Sequence, residues 1–332
     1  MAEGRATIYD VAKKAGVSVA TVSRFINRSV PVGEKSRKRI MEAIDALHYV
    51  PDPIAKSLKT SCSNLIMMVV PDISNEFYAE LYKVIQKTVG SYGYSIVLTD
   101  TTGSASEEEQ ALQVAQKYRC DGLIVFSLDD SRSMEQRIRE LEVPYFYNLT
   151  NLDREHGIEK RIYLTARHLI AYGHRNIIYV GGTPGTYVNQ VRKNAFMKAM
   201  QENHLYYDEK DCVELGFSLE AGIRAGRLVA QKKPLPTAIC AANDQVAFGV
   251  MLALDECGIR VPEDISVTGM DDVPFARMIT PKLTTIRNDY SSLALKISAS
   301  LLKQLGETVE DQTEYAEYKP EVIVRDSTRK LT

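Results

Sequence analysis

The side chains of this 332-residue chain that are placed to do chemistry favour recognition over bond cleavage. Near the N-terminus, Val19, Ala20, Ser23, Arg24 and Asn27 share one face of a short helix, with small residues first, one arginine and no acid. Such a face suits the DNA major groove, where an apolar side chain meets a thymine methyl and an arginine bonds guanine O6 and N7 together. Catalytic patterns do not appear. The histidines, His48, His156, His168, His174 and His204, have neither metal-ligand spacing nor a nucleophile motif. Val180-Gly181-Gly182-Thr183-Pro184-Gly185 follows an apolar run but lacks the Gly-x-Gly-x-x-Gly spacing of a dinucleotide loop, and no phosphate loop with Gly-Lys-Ser/Thr occurs. The chain reads as a non-enzyme without a metal site or a tightly bound cofactor.

The elements that must hold the reading face are three short helices. Thr7 caps the first, with Asp10 three residues on as an approximate capping box, and Ile8, Val11, Ala12 and Ala15 form its apolar stripe. Gly16 ends it, because glycine accepts the left-handed conformation at little cost. Ser18 caps the second helix, which buries Val22, Phe25 and Ile26. The third runs from about Glu34 to Leu47 behind Gly33, with Ile40, Ala43, Ile44 and Leu47 inward and Lys35, Arg37, Lys38 and Arg39 in its first turns. Residues 1–60 hold eleven Lys/Arg against six Asp/Glu, whereas the rest of the chain is net acidic. A basic headpiece on an acidic body gives the headpiece alone an anionic partner.

From Asn64 the pattern changes. Leu65 to Val70 is a continuous apolar run, as in a parallel strand covered on both faces. Further strands are expected near 95–99, 123–127, 145–147, 176–180, 238–242, 265–269 and 283–287, alternating with helical stretches. That alternation means α/β layers with parallel sheets. The N-terminus shows no secretory signal and no run is long enough for a membrane span, so a cytoplasmic protein is expected. Cys62, Cys120, Cys212, Cys240 and Cys257 are an odd number without close spacing and read as reduced.

Thr-Ile-Tyr-Asp-Val-Ala at 7–12, Gly-Val-Ser-x-x-Thr-Val-Ser-Arg at 16–24 and His-Tyr-Val-Pro-Asp at 48–52 closely resemble the N-terminus of the lactose-repressor/galactose-repressor (LacI/GalR) family, and the likeness runs to the chain's end. It implies an all-α helix-turn-helix headpiece over 1–50, a hinge over 51–62, and a periplasmic-binding-protein-like body over 63–332. That body would have one subdomain at about 63–160 plus 289–320, and another at about 161–288 plus a C-terminal strand. The resemblance implies a bacterial, nucleoid-associated repressor that binds a palindromic operator as a homodimer. DNA contacts would come from Thr7, Tyr9, Ser18, Val19, Ala20, Thr21, Ser23, Arg24 and Asn27, with Leu58 and Lys59 at the minor groove. Nothing after Val322–Ser327 resembles the leucine heptads of tetrameric members.

In open α/β sheets, ligands sit at the C-terminal ends of the strands. There, Asp72, Asn75 and Phe77 lie in a segment similar to the family's Asp-x-x-Asn-Pro-Phe-Phe, with Glu76 where proline is frequent. By the same resemblance Arg192 matches the cleft arginine, Asn243 and Asp244 a strand-end pair with a ligand-binding aspartate, and Asp271 a further signature. The implied ligand is a sugar or sugar derivative, gripped by arginine and carboxylates and covered by an aromatic ring. The alternatives are a nucleobase effector or a solute-binding protein that never meets DNA. The family's Asp-centred loop is not matched by Asn151–Gly157, where Asp153 or His156 would have to replace the contact.

Pro53 after Asp52 opens a possible helix of under two turns at 54–59. Isolated helices shorter than about 12–15 residues are marginal in water, so this hinge should fold only on operator, where the resemblance makes Leu58 a minor-groove wedge. Hydrogen exchange should find the amides of Ala55 to Leu58 unprotected in the free protein and protected on operator. Equal protection in both states would exclude a folding hinge.

Overall fold

The computed structural model describes residues 6–27, 31–49, 62–129, 132–148, 157–208, 211–309 and 320–331. The chain divides into two units, Met1–Ser63 and Asn64–Thr332. In the first, α1 (Ile8–Ala15), α2 (Val19–Asn27) and α3 (Glu34–Leu47) enclose Val11, Ala12, Ala15, Val22, Ile40 and Ala43. The capping box is reciprocal: the Asp10 N–H donates to Thr7 Oγ1 at 3.3 Å, and the Thr7 N–H to Asp10 Oδ2 at 2.8 Å. Gly16 turns the chain at φ 61°, and Ser18 Oγ accepts the Thr21 N–H to start α2. Phe25 and Ile26 only partly enter the core.

The second unit holds two four-stranded parallel sheets. The first, in the order β2-β1-β3-β4, uses β1 (Leu65–Val70), β2 (Ser95–Asp100), β3 (Gly122–Val125) and β4 (Tyr145–Tyr147). Its helices are α4 (Glu76–Ser91), α5 (Ala105–Lys117) and α6 (Arg132–Glu140). The second sheet, β6-β5-β7-β8, uses β5 (Ile177–Val180), β6 (Cys212–Val213), β7 (Ala238–Ala241) and β8 (Ser266–Thr268). It carries α7 (Ile158–Ala171), α8 (Tyr187–Glu202), α9 (Leu219–Ala230) and α10 (Asp244–Glu256). Burial on both faces explains the apolar runs. In β1, Ile66, Met68 and Val70 join one core and Met67 and Val69 the other. In β5, Ile178 and Val180 likewise oppose Ile177 and Tyr179.

The connections cross between these layers. After β9 (Thr285–Ile286), α11 (Tyr290–Gln304) returns to the first sheet, burying Ala294, Ile297, Leu301 and Leu302 beside Ile66 and Ile124. The C-terminal segment then goes back: β10 (Val322–Ile323) pairs antiparallel with β9, and the Val267 N–H donates to the Ser327 carbonyl at 2.8 Å. The edge strand β6 was not expected from sequence; its two half-buried residues are too few to show a pattern. The strand expected over 283–287 contracts to two residues.

The helices α9 and α10 meet backbone to backbone. A Cβ on Gly222 would stand 2.4 Å from the Val246 carbonyl oxygen, and one on Gly249 2.2 Å from that of Leu219. Neither neighbour is a side chain that can swing away. Gly249→Ala should therefore destabilise this unit by about 1–3 kcal/mol through overpacking. A calorimetric melt reads this directly, and an unchanged melting temperature would show that the helices separate freely.

Candidate functional site

On the helical unit, the reading face is graded. Ala20 and Arg24 are exposed, Ser23 is half-buried, and Val19 packs partly into the three-helix core. Thr21 is half-buried, with its hydroxyl 2.8 Å from Ser18 Oγ, so these two side chains serve the helix start. Tyr9, on α1, is 70% exposed, a large ring left facing solvent. Asn27 ends α2. Arg39 leaves the basic run of α3 to donate from Nη2 to the Gly16 carbonyl at 3.3 Å, which pins the turn between α1 and α2. Lys35, Arg37 and Lys38 stay exposed. Leu58 and Lys59 lie outside the described residues, as do Asp153 and His156.

The second unit contains a cleft of about 410 Å³ lined from both sheets. The strand-end segment 71–78 forms one wall. Asn75 caps α4 by accepting the Phe77 N–H at 3.0 Å, and Asp72 accepts the Ser74 N–H at 2.8 Å. Phe77 meets Tyr78 edge-on at 5.1 Å, and Tyr78 lies 5.5 Å from Phe126, giving a continuous aromatic surface. Burial pushes the Tyr78 hydroxyl well above its ordinary pKa. Across the cleft, the Arg192 guanidinium stands 4.8 Å over the Phe217 ring and donates from Nη1 to the Ala242 carbonyl at 2.8 Å. Arg192 Nε is buried without a partner.

Asp271 forms the floor. It is 4% exposed, accepts from Asn288 Nδ2 at 2.8 Å, and sits at φ 131°, a conformation that L side chains rarely adopt. Strain of this kind persists where surrounding structure over-determines it, commonly at ligand sites. Burial pushes the Asp271 carboxyl up, and the Arg192 and Arg161 guanidiniums pull it back. Asn243 lines the cleft, but its side chain is engaged as the cap of α10 through the Val246 N–H and as a donor to the Phe217 carbonyl.

Six of the seven residues expected at the effector site, Asp72, Asn75, Phe77, Arg192, Asn243 and Asp271, line this cleft. Asp244 does not. Its carboxylate is 1% exposed and points away, accepting the Thr285 hydroxyl at 2.6 Å and the Val273 N–H at 3.0 Å. A strand-end aspartate is equally able to serve as an internal clamp, and here it does. Sequence reasoning missed Arg161, Phe126, Ser127, Asn148 and Phe217, all of which line the cleft. Ser127 and Asn148 follow β3 and β4, so the strand-end rule applied to those strands would have found them. Arg161 on a helix, and Phe217 after the unforeseen β6, left no such signal.

A model of bacterial regulatory proteins of the lacI family matches residues 7–52, and one for a periplasmic binding protein-like domain matches 166–328. The HTH-type transcriptional repressor PurR of Pasteurella multocida is 31% identical over 332 residues, covering 98% of this chain and 99% of its own. This chain belongs to the LacI family. The crystal structure of the lac repressor dimer bound to operator and the anti-inducer ONPF is 26% identical with a TM-score of 0.79, covering 98% of this chain and all (100%) of that one. A transcriptional regulator CelR–cellobiose complex is 25% identical with a TM-score of 0.67, covering 97% and 100%. As a LacI-family member, the protein is a DNA-binding transcriptional repressor with an effector-binding domain, and not an enzyme.

Removing the Asp244 carboxylate strands a buried hydroxyl and a buried amide, each costing about 1–3 kcal/mol when left unpaired. Asp244→Ala should thus lower the melting temperature of the body markedly, without a specific effect on any ligand. A variant that melts like the parent but loses effector response would return Asp244 to the effector site.

Proposed function

We propose that this repressor binds a palindromic operator as a homodimer, with one copy of α2 reading each half-site, and that a sugar derivative in the cleft controls it. The operator reading rests on the exposed Arg24 beside the small residue Ala20, with no acid on that face. Arg24 bonds guanine bidentately, Tyr9, Thr7 and Ser23 flank it toward the backbone, and Leu58 and Lys59 serve the minor groove. Two-fold symmetry of the protein then calls for a two-fold symmetric site.

The effector reading rests on one juxtaposition: a guanidinium and a buried carboxylate, Arg192 and Asp271, share a cleft with the Tyr78–Phe126 wall and the Phe217 ring. Hydroxyls of a sugar suit the charged pair, and its apolar face suits a ring. A nucleobase is the second reading, favoured by the extent of aromatic surface. The CelR complex with cellobiose supports the first.

Selection from a random-sequence DNA pool should return a two-fold symmetric site, bound with strong salt dependence. Arg24→Ala should weaken binding to that site by about 1–3 kcal/mol per half-site and relax preference at one base pair. Equal weakening on unrelated DNA would reduce Arg24 to a phosphate contact, and recovery of no symmetric site would defeat the operator reading.

A further inference from the structure

Among the described residues, three helix starts on the side of the second sheet reach across the cleft. The Val188 N–H, in the first turn of α8, donates to the Leu128 carbonyl at 3.2 Å. Gln245, in the first turn of α10, donates from Nε2 to the Ser74 carbonyl at 3.1 Å. The Phe275 N–H, in the first turn of a short 3-10 helix at Pro274–Arg277, donates to Glu76 Oε2 at 3.2 Å. Amides in the first turn of a helix find no acceptor inside it, so the two backbone donors depend on what the other half offers.

Two of the three acceptors are backbone carbonyls, which any sequence supplies. The third is the Glu76 carboxylate, and it alone depends on which residue stands there. An ionised acceptor also makes the stronger bond. Glu76 opens α4, so the helix that carries the charge favours it at that end. The place of this contact matters as much as its chemistry. Segment 71–77 carries Asp72, Asn75 and Phe77 on the cleft wall and Glu76 at the joint. Opposite, Asp271 on the cleft floor and Phe275 at the joint share one short turn, which Asp244 holds through the Val273 N–H. Pressure on wall or floor therefore acts on the joint. A contact made at one spacing of the halves and broken at another shifts the balance between the two spacings.

We propose that Glu76 is a clasp between the two halves of the body: it favours the present cleft width, and so sets the operator affinity from which any effector works. The regulatory half of this rests on the operator reading; the clasp itself does not.

Val188 supplies the reporter, because its amide crosses the same cleft on segments other than those that Glu76 joins. Hydrogen exchange on the full chain without ligand, read at Val188 and at Ile178 and Val180 in β5, separates opening from unfolding. Glu76→Ala should speed exchange at Val188 by at least about tenfold and leave β5 unchanged. Glu76→Gln keeps a carbonyl acceptor and should recover most of the protection. On the site selected from the random DNA pool, Glu76→Ala should shift affinity by at least about threefold, with Glu76→Gln between it and the parent. Unchanged exchange at Val188, equal acceleration in β5, or a glutamine variant as open as the alanine one would overturn the clasp. A freed Val188 with unaltered operator affinity overturns its regulatory role alone. If no site is selected at all, the operator reading and that role fall together, and exchange at Val188 still decides the clasp.

Discussion

Asp244 ties together the segments on which the cleft floor rests. Its N–H donates to the Met270 carbonyl at 2.9 Å, its Oδ2 accepts from Val273, and its Oδ1 from Thr285. Gly269 is bare because a Cβ there would stand 2.2 Å from Asp244 Oδ1. One buried carboxylate therefore sets where β8 ends, how the chain turns through 270–273, and how β9 lies beside it. Asp271, between two of these anchors, has no freedom to relax its φ, which is why its carboxyl faces the cleft. Burial holds the Asp244 carboxyl above the ordinary range, and the two donors oppose that shift by favouring the ionised form.

The two sheets of the body meet across that floor through a few specific contacts. Gln245 Nε2 donates to the Ser74 carbonyl at 3.1 Å, and the Phe275 N–H donates to Glu76 Oε2 at 3.2 Å. Glu76 stands where the family resemblance led to an expectation of proline, and only a side chain with an acceptor makes the second bond. Tyr290 crosses as well, its hydroxyl donating to the Asp271 carbonyl at 2.5 Å from the helix that returns to the first sheet. Parallel strands buried on both faces leave their polar groups to emerge at the strand ends, so the cleft and its bridging contacts share one edge of each sheet.

The helical unit depends on local chemistry to a far greater degree. Thr7 and Asp10 satisfy each other's backbone donors, Gly16 takes the left-handed turn, and Ser18 restarts the helix, all within twelve residues. Among the described residues, a long-range polar contact is added by Arg39, whose donation to the Gly16 carbonyl ties α3 to the turn between α1 and α2.

That difference in range explains what was legible in the sequence. Caps, glycine turns and apolar stripes act between near neighbours, so the three helices of 8–47 could be read residue by residue, as could long buried strands such as β1 and β5. The resemblance to the family then carried most of the cleft, including Arg192 and Asp271. Whether a strand-end carboxylate faces ligand or core was not legible: Asp244 and Asp271 look alike in sequence, and the positions of Thr285 and Val273 decided between them. Asn148 and Arg161 lie on a strand end and a helix, and Phe217 lies more than fifty residues further on, in a loop. Only the packing of both sheets brings them to one cavity, because the contacts that do so join segments that share no local pattern.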